Sequence, residues 1–398
     1  MTSKTARFAD LLITPLRSGV TIPKGNRGTG IKMINMGELF RYPRIPDTEM
    51  ALVDFDYRNE ERFLVQPGDL LFARRSLTAE GAGKCAIVLD APTPRTWESS
   101  IIRARLNRDK ADPDYYFYMF QAPYGRNLIG GIVEQVAVAG IRSSDLANLR
   151  VPWPELAEQR AISSVLRALD DKAAANDRLT ASSDQYCAAL LQDIVVTGCG
   201  KPVKLGDIAT VNAASIKPIP GASLRYIDIS SVADGRIDWP AASSWDTAPG
   251  RARRKVSVGD TIWSTVRPNR CSRALILDDD PLLVASTGFA VLTPRAVGPA
   301  FLYECARRND FVAYLESVAE GSAYPAVRAD RFLAAPIPNI TAEKREKFES
   351  IAFNVRLRAH SSVHENRVLA ELRDVLAAEL MSGRLRVKDA EKVVEEAV

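Results

Sequence analysis

Val151-Pro152-Trp153-Pro154-Glu155-Leu156-Ala157-Glu158-Gln159-Arg160, running on into Ile162 through Ile194, decides how this chain is organised. Two prolines hold the lead-in extended and cannot sit inside a helix, so a helix must begin after Pro154. From there Ile162, Leu166, Leu169, Ala173, Asn176, Thr180, Ser183, Cys187, Leu190 and Ile194 recur at alternating steps of four and three. That is a heptad seam, apolar at both ends and small or polar in its middle. No Gly or Pro interrupts it before Gly198. A helix of roughly 40 residues is about 60 Å long, more than an ordinary globular domain needs, and its stripe requires a cover.

The pattern returns near the C-terminus. Ala335-Pro336-Ile337-Pro338 leads into Thr341-Ala342-Glu343-Lys344-Arg345, where the first copy reads Ala157-Glu158-Gln159-Arg160. Phe348, Ala352, Val355, Ala359, Ser362, Asn366, Leu369, Leu376 and Leu380 form a second seam, stopped at Ser382-Gly383 as Thr197-Gly198 stops the first. Upstream, Val65-Gln66-Pro67-Gly68-Asp69-Leu70-Leu71-Phe72 parallels Val256-Ser257-Val258-Gly259-Asp260-Thr261-Ile262-Trp263. Ala139-Gly140-Ile141-Arg142 parallels Pro325-Ala326-Val327-Arg328 in the same way. The chain therefore reads as a tandem of globular block and long helix, twice; a period this large marks domain duplication, not a solenoid.

At 398 residues there is room for two or three domains with proper cores. Hydrophobic content of 46% with 26% charged residues is ordinary for a soluble globular protein. No apolar run is long enough to span a membrane, and no apolar h-region follows Met1–Arg7. Five cysteines (Cys85, Cys187, Cys199, Cys271, Cys305) lack pair spacing, which predicts a reducing cytoplasm and no structural zinc site. The net charge of +4 is too small to announce nucleic acid; its local distribution matters more.

The first block, about 8–150, shows strand-like runs at Ile31–Asn35, Asp69–Ala73, Ala86–Leu89 and Ile101–Ala104, with helical stretches at Tyr115–Gln121 and Tyr124–Ile129. The second, about 203–337, repeats the outline with strands at Val203–Val211, Leu224–Ile229, Thr261–Thr265, Ala274–Leu277 and Ala290–Leu292, then a helix over Pro299–Val318. The expected fold class is α+β: two β-rich domains alternating with two long helices that pair as an antiparallel coiled coil. The expected boundaries are 1–150, 151–200, 201–338 and 339–398.

Basic residues gather in the loops. Arg251-Ala252-Arg253-Arg254-Lys255 is followed by Ser264-Thr265-Val266-Arg267-Pro268-Asn269-Arg270-Cys271-Ser272-Arg273, with Asp260 the only acid in the span. In the first block the matching place, after the Gly-Asp strand, holds Ala73-Arg74-Arg75-Ser76. Arginine at a strand end beside Ser, Thr and Asn suits bidentate contact with guanine and hydrogen bonds to phosphate. A solvated rim, or pairing with nearby carboxylates, is the plain alternative for any single arginine. Recurrence in both copies favours function for the loop. A second pair of loops, Glu134–Ser143 and Glu320–Arg328, precedes the two long helices. Its small residues allow close backbone approach, and Ser322, Tyr324, Arg142 and Arg328 are candidate DNA contacts.

Chemistry is harder to find. Adenine methyltransferases need an Asn/Asp-Pro-Pro-aromatic motif and a Gly-rich cofactor loop, and neither occurs. Thr78-Ala79-Glu80-Gly81-Ala82-Gly83-Lys84-Cys85 imitates a phosphate loop but lacks the first Gly and the terminal Ser/Thr, so Lys84 is kept only as a DNA candidate. Asp278-Asp279-Asp280 before Pro281 reads as a charged turn. His360 and His364, the only histidines, have zinc-like spacing, but no Glu follows His360 and no third ligand is apparent; a solvated helix face is expected, with no metal and no catalytic residue.

The arrangement resembles the DNA-specificity (S) subunit of type I restriction–modification systems. The resemblance rests on Pro152-Trp153-Pro154-Glu155-Leu156-Ala157-Glu158-Gln159-Arg160-Ala161-Ile162 with the Leu-x-x-Leu-Asp helix at Leu166–Asp170. Ser264–Pro268, Ser286-Thr287-Gly288-Phe289-Ala290 and Gly321–Pro325 also look like segments common in that family's recognition domains. It spans nearly the whole chain; the second copy departs at Lys344, where the first has Gln159. It implies a non-catalytic subunit whose two target recognition domains each read half of a split DNA site. The paired helices would be a spacer, with contacts at Glu158, Gln159, Arg160, Glu343 and Arg345 to two methyltransferase (M) subunits. Those would bring S-adenosylmethionine, and restriction (R) subunits ATP and Mg. The DNA contacts would be Arg74, Arg75, Ser76 and Lys84 in the first block. In the second they would be Arg253, Arg254, Ser264, Arg267, Asn269 and Arg270. A degenerate methyltransferase or nuclease, or a coiled-coil scaffold with no DNA role, are the competing classes.

Overall fold

In the computed structural model Arg150–Pro152 is a strand, and from Leu156 a helix of 43 residues runs to Gly198. Residues 4–56, 60–135, 138–322 and 324–397 are described; Val136, Ala137 and Ala323, from the two loops singled out above, lie outside them. Pro336–Asn339 likewise precedes a second helix of 40 residues, Ala342–Met381. It stops where expected: Gly383 takes φ +71, its N–H donates to the Leu380 carbonyl (3.1 Å), and the Arg384 N–H reaches back to Glu379 (3.0 Å). By its contacts the chain forms two units, Met1–Ala174 with Asn366–Val398, and Ala175–Glu365. Each unit thus holds one globular block and a part of both long helices.

In the first unit one sheet runs in the order Leu12–Ser18, Ile101–Leu106, Leu70–Ala73, Cys85–Val88, Arg44–Ile45. A second joins Ala51–Val53, Arg27–Ile34 and Arg95–Trp97, the last pair parallel. Leu70–Ala73 is buried along its whole length, as a central strand without polar residues requires. Phe8, Phe72 and Phe120 meet edge-on, with centroids 5.0 and 5.2 Å apart along the chain of rings. This core continues into Ile162, Val165, Leu166 and Leu169 of the first long helix and Leu369, Leu376, Ala377 and Leu380 of the second. Asp170 pairs with Arg373 (2.8 Å) and the Ala173 carbonyl accepts from Asn366 (3.2 Å), so the helices run antiparallel. A further helix, Val387–Ala397, beyond the Ser382-Gly383 stop, closes the core with Ala390 and Val394.

The second unit repeats the plan. Ala209–Val211, Phe289–Pro294, Thr261–Ser264 and Arg273–Leu275 form one antiparallel sheet. Ser223–Ile227 pairs parallel with Leu283–Ser286 in another, matching the parallel pair of the first unit. Phe348 and Ala352 share a core with Cys187 and Leu191, and Asn176 donates to Glu365 (2.7 Å), again antiparallel. Every seam position is buried or half-buried. At the far side of the core Arg356 binds Glu304 and Asp184, and Arg307 binds Asp184 at 2.8 Å, tying both helices to the globular block.

Three expectations need correction. Val203–Val211 is not one strand: Gly200–Lys204 and Ala209–Val211 flank a one-turn helix, Leu205–Ile208, in which Asp207 accepts from the Lys204 N–H (3.0 Å). Leu224–Ile229 ends early, as Asp228 starts a 3-10 turn over Ile229–Ser231. Pro299–Val318 is two helices, Pro299–Arg307 and Asn309–Ser317, because Arg308 is extended and held by Asp310 (2.9 Å) and Gln192 (2.9 Å). The first unit breaks at the same place, Ala122, where Pro123 enforces it.

Candidate nucleic-acid interface

The Gly-Asp pair shared by both copies is a launching turn for the central strand. Gly68 and Gly259 adopt φ +89 and +91, conformations that favour glycine. The following aspartates cap the turn: Asp69 accepts from the Gln66 N–H and Asp260 from the Ser257 N–H, each at 2.8 Å. Asp69 is further held by Arg105 (2.7 Å) and Asp260 by the Thr293 hydroxyl (2.6 Å). Burial pushes the Asp260 carboxyl above the usual carboxylate range although these bonds oppose it. Both aspartates are therefore structural, and their role is to aim the strand whose far end carries the arginines.

At that far end the two expected loop pairs come together. In the first unit the Arg74 N–H donates to the Ser100 carbonyl (2.9 Å) and its carbonyl accepts from Ile141 (3.0 Å). Arg75–Ser76 pairs with Ala139–Gly140, which pairs with Glu134–Gln135. In the second unit the Thr265 N–H donates to Gly288 (2.8 Å), its carbonyl accepts from Val327 (2.8 Å), and the Arg267 N–H donates to Pro325 (2.7 Å). Hydrogen bond for hydrogen bond, the two junctions match. Arg251 joins the second through its carbonyl, which accepts from Thr287 (2.8 Å) next to Gly288.

Side chains then sort by what they can offer. Arg74 and Arg75 have no hydrogen-bond or ion-pair partner among the described residues and line a cleft of about 400 Å³ with Val138, Ile141 and Arg142. Exposed Arg270 is equally unpaired among the described residues, and Asn269 beside it is exposed. Arg267 lays its guanidinium over the ring of Tyr324, 4.5 Å from the centroid. Arg267 and Cys271 both take φ +51 around the turn Pro268–Arg270. Left-handed backbone at non-glycine residues costs about 1–2 kcal/mol each, so the surrounding bonds hold this loop in a set shape. Arg142 and Arg328 occupy matched positions and pair with matched glutamates, Glu134 (2.8 Å) and Glu320 (2.9 Å). Being exposed, those pairs contribute little stability and can be exchanged for a phosphate. Ser322 is exposed on the same loop.

Other expected contacts face elsewhere. Ser264 is buried, its hydroxyl donating to the Val266 carbonyl (2.8 Å). Lys84 donates to the Phe40 carbonyl (2.9 Å) and sits over the Phe40 ring, with burial lowering its pKa. The phosphate-loop imitation around it has its amides spent: Gly81 on Thr78, Gly83 on Ala73, Lys84 on Gly81. Arg253 donates to the Ala252 carbonyl (2.7 Å) and Arg254 is half-buried, so neither projects as Arg270 does. Ser76 accepts from the Thr78 N–H (3.2 Å). Sequence reading missed Leu77, which is 96% exposed beside Arg75, and whose only signal was an apolar residue between polar ones.

Of the residues assigned to partner contact, Gln159 is buried: its amide donates to Pro154 (2.8 Å) and Lys110 (3.3 Å) and accepts from Asp112 (2.9 Å). It fastens the start of the helix instead of meeting a partner. Glu158, Arg160 and Glu343 are exposed, and Arg345 is half-buried.

No family model matches the chain. It is 26% identical over 153 residues to the EcoKI type I restriction enzyme specificity subunit of Escherichia coli K12, covering 38% of this chain and 32% of that one. It is 24% identical over 181 residues to the HindI specificity subunit of Haemophilus influenzae, covering 44% and 39%. Across 96% of both chains its fold matches the type I restriction–modification S subunit of M. genitalium, with a TM-score of 0.60 at 14% identity. In sequence this chain is similar to type I specificity subunits over part of its length, and it shares the fold of a type I restriction–modification S subunit. The alignments span less than half the length of the relatives from E. coli and H. influenzae. No helix among the described residues is long and apolar enough to cross a membrane.

Proposed function

We propose that the chain reads a split DNA sequence for a type I restriction–modification complex, one half-site per unit. The observation that carries this reading is the matched junction of Arg74–Arg75 with Ala139–Arg142 and of Thr265–Arg270 with Pro325–Arg328. Duplicated folds need not duplicate a surface loop; here the junction's backbone recurs with Arg142 and Arg328 at matched positions. Although Arg74 and Arg75 fall opposite Thr265 and Val266, the basic character of the junction is shared, which supports a common ligand chemistry. Guanidinium groups at a fixed strand end suit guanine edges and phosphates, with affinity falling steeply as salt rises. A split site also needs a spacer, and in this reading the two long helices act as one. In this reading the chain itself catalyses nothing and acts in the cytoplasm. Two M subunits, docking near Glu158, Arg160, Glu343 and Arg345, bring S-adenosylmethionine and reach adenine by flipping it out. R subunits bring ATP and Mg for restriction.

Single-molecule sequencing of adenine methylation in cells co-expressing the chain with its cognate methyltransferase tests the proposal. A split motif with a fixed gap that vanishes on deleting this chain is expected. Unchanged methylation would sink it and leave the scaffold reading. Methyl transfer by the purified chain alone would overturn the non-catalytic assignment.

A further inference from the structure

The sequence sets His360 and His364 one helical turn apart and shows no third ligand. The fold supplies one. Asp278 lies just beyond the strand Arg273–Leu275, and its carboxylate turns onto the second long helix within the second unit. Its Oδ1 is 2.6 Å from His364 Nε2 and 3.3 Å from His360 Nε2, and the two nitrogens are 3.1 Å apart. The charged turn thus divides its work: Asp280 binds Arg225 (2.9 Å) and caps the Leu282 N–H (2.9 Å), leaving Asp278 for the histidines.

We propose that Asp278, His360 and His364 form a site for a zinc-class divalent metal that clips the second globular block to its helix. Two ligands at about 2.0–2.1 Å from a tetrahedral zinc lie roughly 3.3 Å from each other, so the observed triangle has the size of one face of a zinc tetrahedron. Protons satisfy the same triangle poorly. Each neutral imidazole has one N–H, and two Nε2 atoms facing each other and one oxygen cannot all be paired well by N–H donors. Imidazole and carboxylate together suit zinc, cobalt or nickel better than magnesium or calcium. His364 is 41% exposed and Asp278 14%, so the fourth position opens to water. The Trp239 ring, edge-on to His364 at 6.0 Å, flanks the site. A bound ion would stabilise the unit by mass action, independently of whether the chain reads DNA.

The full-length chain, without a histidine tag and with Cys199→Ser and Cys271→Ser to remove accessible thiols, is stripped with chelator and titrated with zinc chloride at neutral pH by calorimetry. One equivalent should bind with micromolar affinity or tighter, raise Tm, and lose at least about tenfold in affinity in His364→Gln and in Asp278→Asn. Cobalt should give the intense visible bands of a four-coordinate site. Unchanged far-UV circular dichroism shows that each variant is folded; His360→Gln replaces any that is not. No binding at millimolar zinc, or equal affinity in the wild type and the folded variants, would overturn the proposal.

Discussion

At the scale of single residues, Arg267 concentrates the consequences of the recognition reading. Its backbone is left-handed, its N–H is bonded to Pro325, and its guanidinium is stacked on Tyr324. Arg267→Ala should weaken DNA binding by ~1–3 kcal/mol, measured by fluorescence anisotropy on methylation-mapped sites. Relaxation at one base pair would mark a base contact; an even loss across sequences with a shallower salt slope would mark a phosphate contact. The cysteines give a test that needs no DNA. Burial pushes the Cys187 thiol up to about 11 and raises Cys85 and Cys305 as well, whereas Cys199 is exposed and Cys271 half-exposed. A thiol reagent at mildly alkaline pH should therefore modify Cys199 and Cys271 in the native chain and the other three only after denaturation.

At the scale of elements, the seams were legible because a heptad needs only side-chain size and spacing. The polar positions in their middle turn out to be bonded, Asn176 to Glu365 and Asn366 to Ala173. Such residues cost stability but fix register. The apolar ends hold the helices: Leu369, 1% exposed, should lose about 2–5 kcal/mol on Leu369→Ala, read from urea midpoints of the first unit. Asn176→Leu should instead disturb register, seen as heterogeneous amide spectra with a smaller change in midpoint. What the sequence hid has local causes. Pro123 announces the helix break in the first unit, but Arg308 breaks its helix through Asp310 and Gln192, a choice that no breaker residue signals. Lys84 and Ser264 look like surface residues by type and are drawn inward by Phe40 and Val266. Asp278 could not be joined to His360 by any spacing rule, because the contact exists only once a strand end meets a helix.

At the scale of the whole molecule, a chain that reads a split site with two long helices as its spacer would have the gap between half-sites set by helix length. Seven residues added to each long helix at matched heptad positions keep the seam in phase and lengthen it by about 10 Å, roughly three base pairs. The methylated motif should keep both half-sites and widen its gap by that amount; loss of methylation altogether would count against the spacer role. The order of the units along the chain has a different kind of consequence. Asn366–Val398 completes the core begun by Met1–Ala174, and the whole of Ala175–Glu365 is made in between. On the ribosome the second unit can close first, while Leu166 and Leu169 wait for Leu369 and Leu380 to be synthesised. The first unit is thus the last to be finished, and premature termination before residue 366 would strand it with a bare apolar stripe, a mark by which quality-control chaperones and proteases sort partial chains from complete ones.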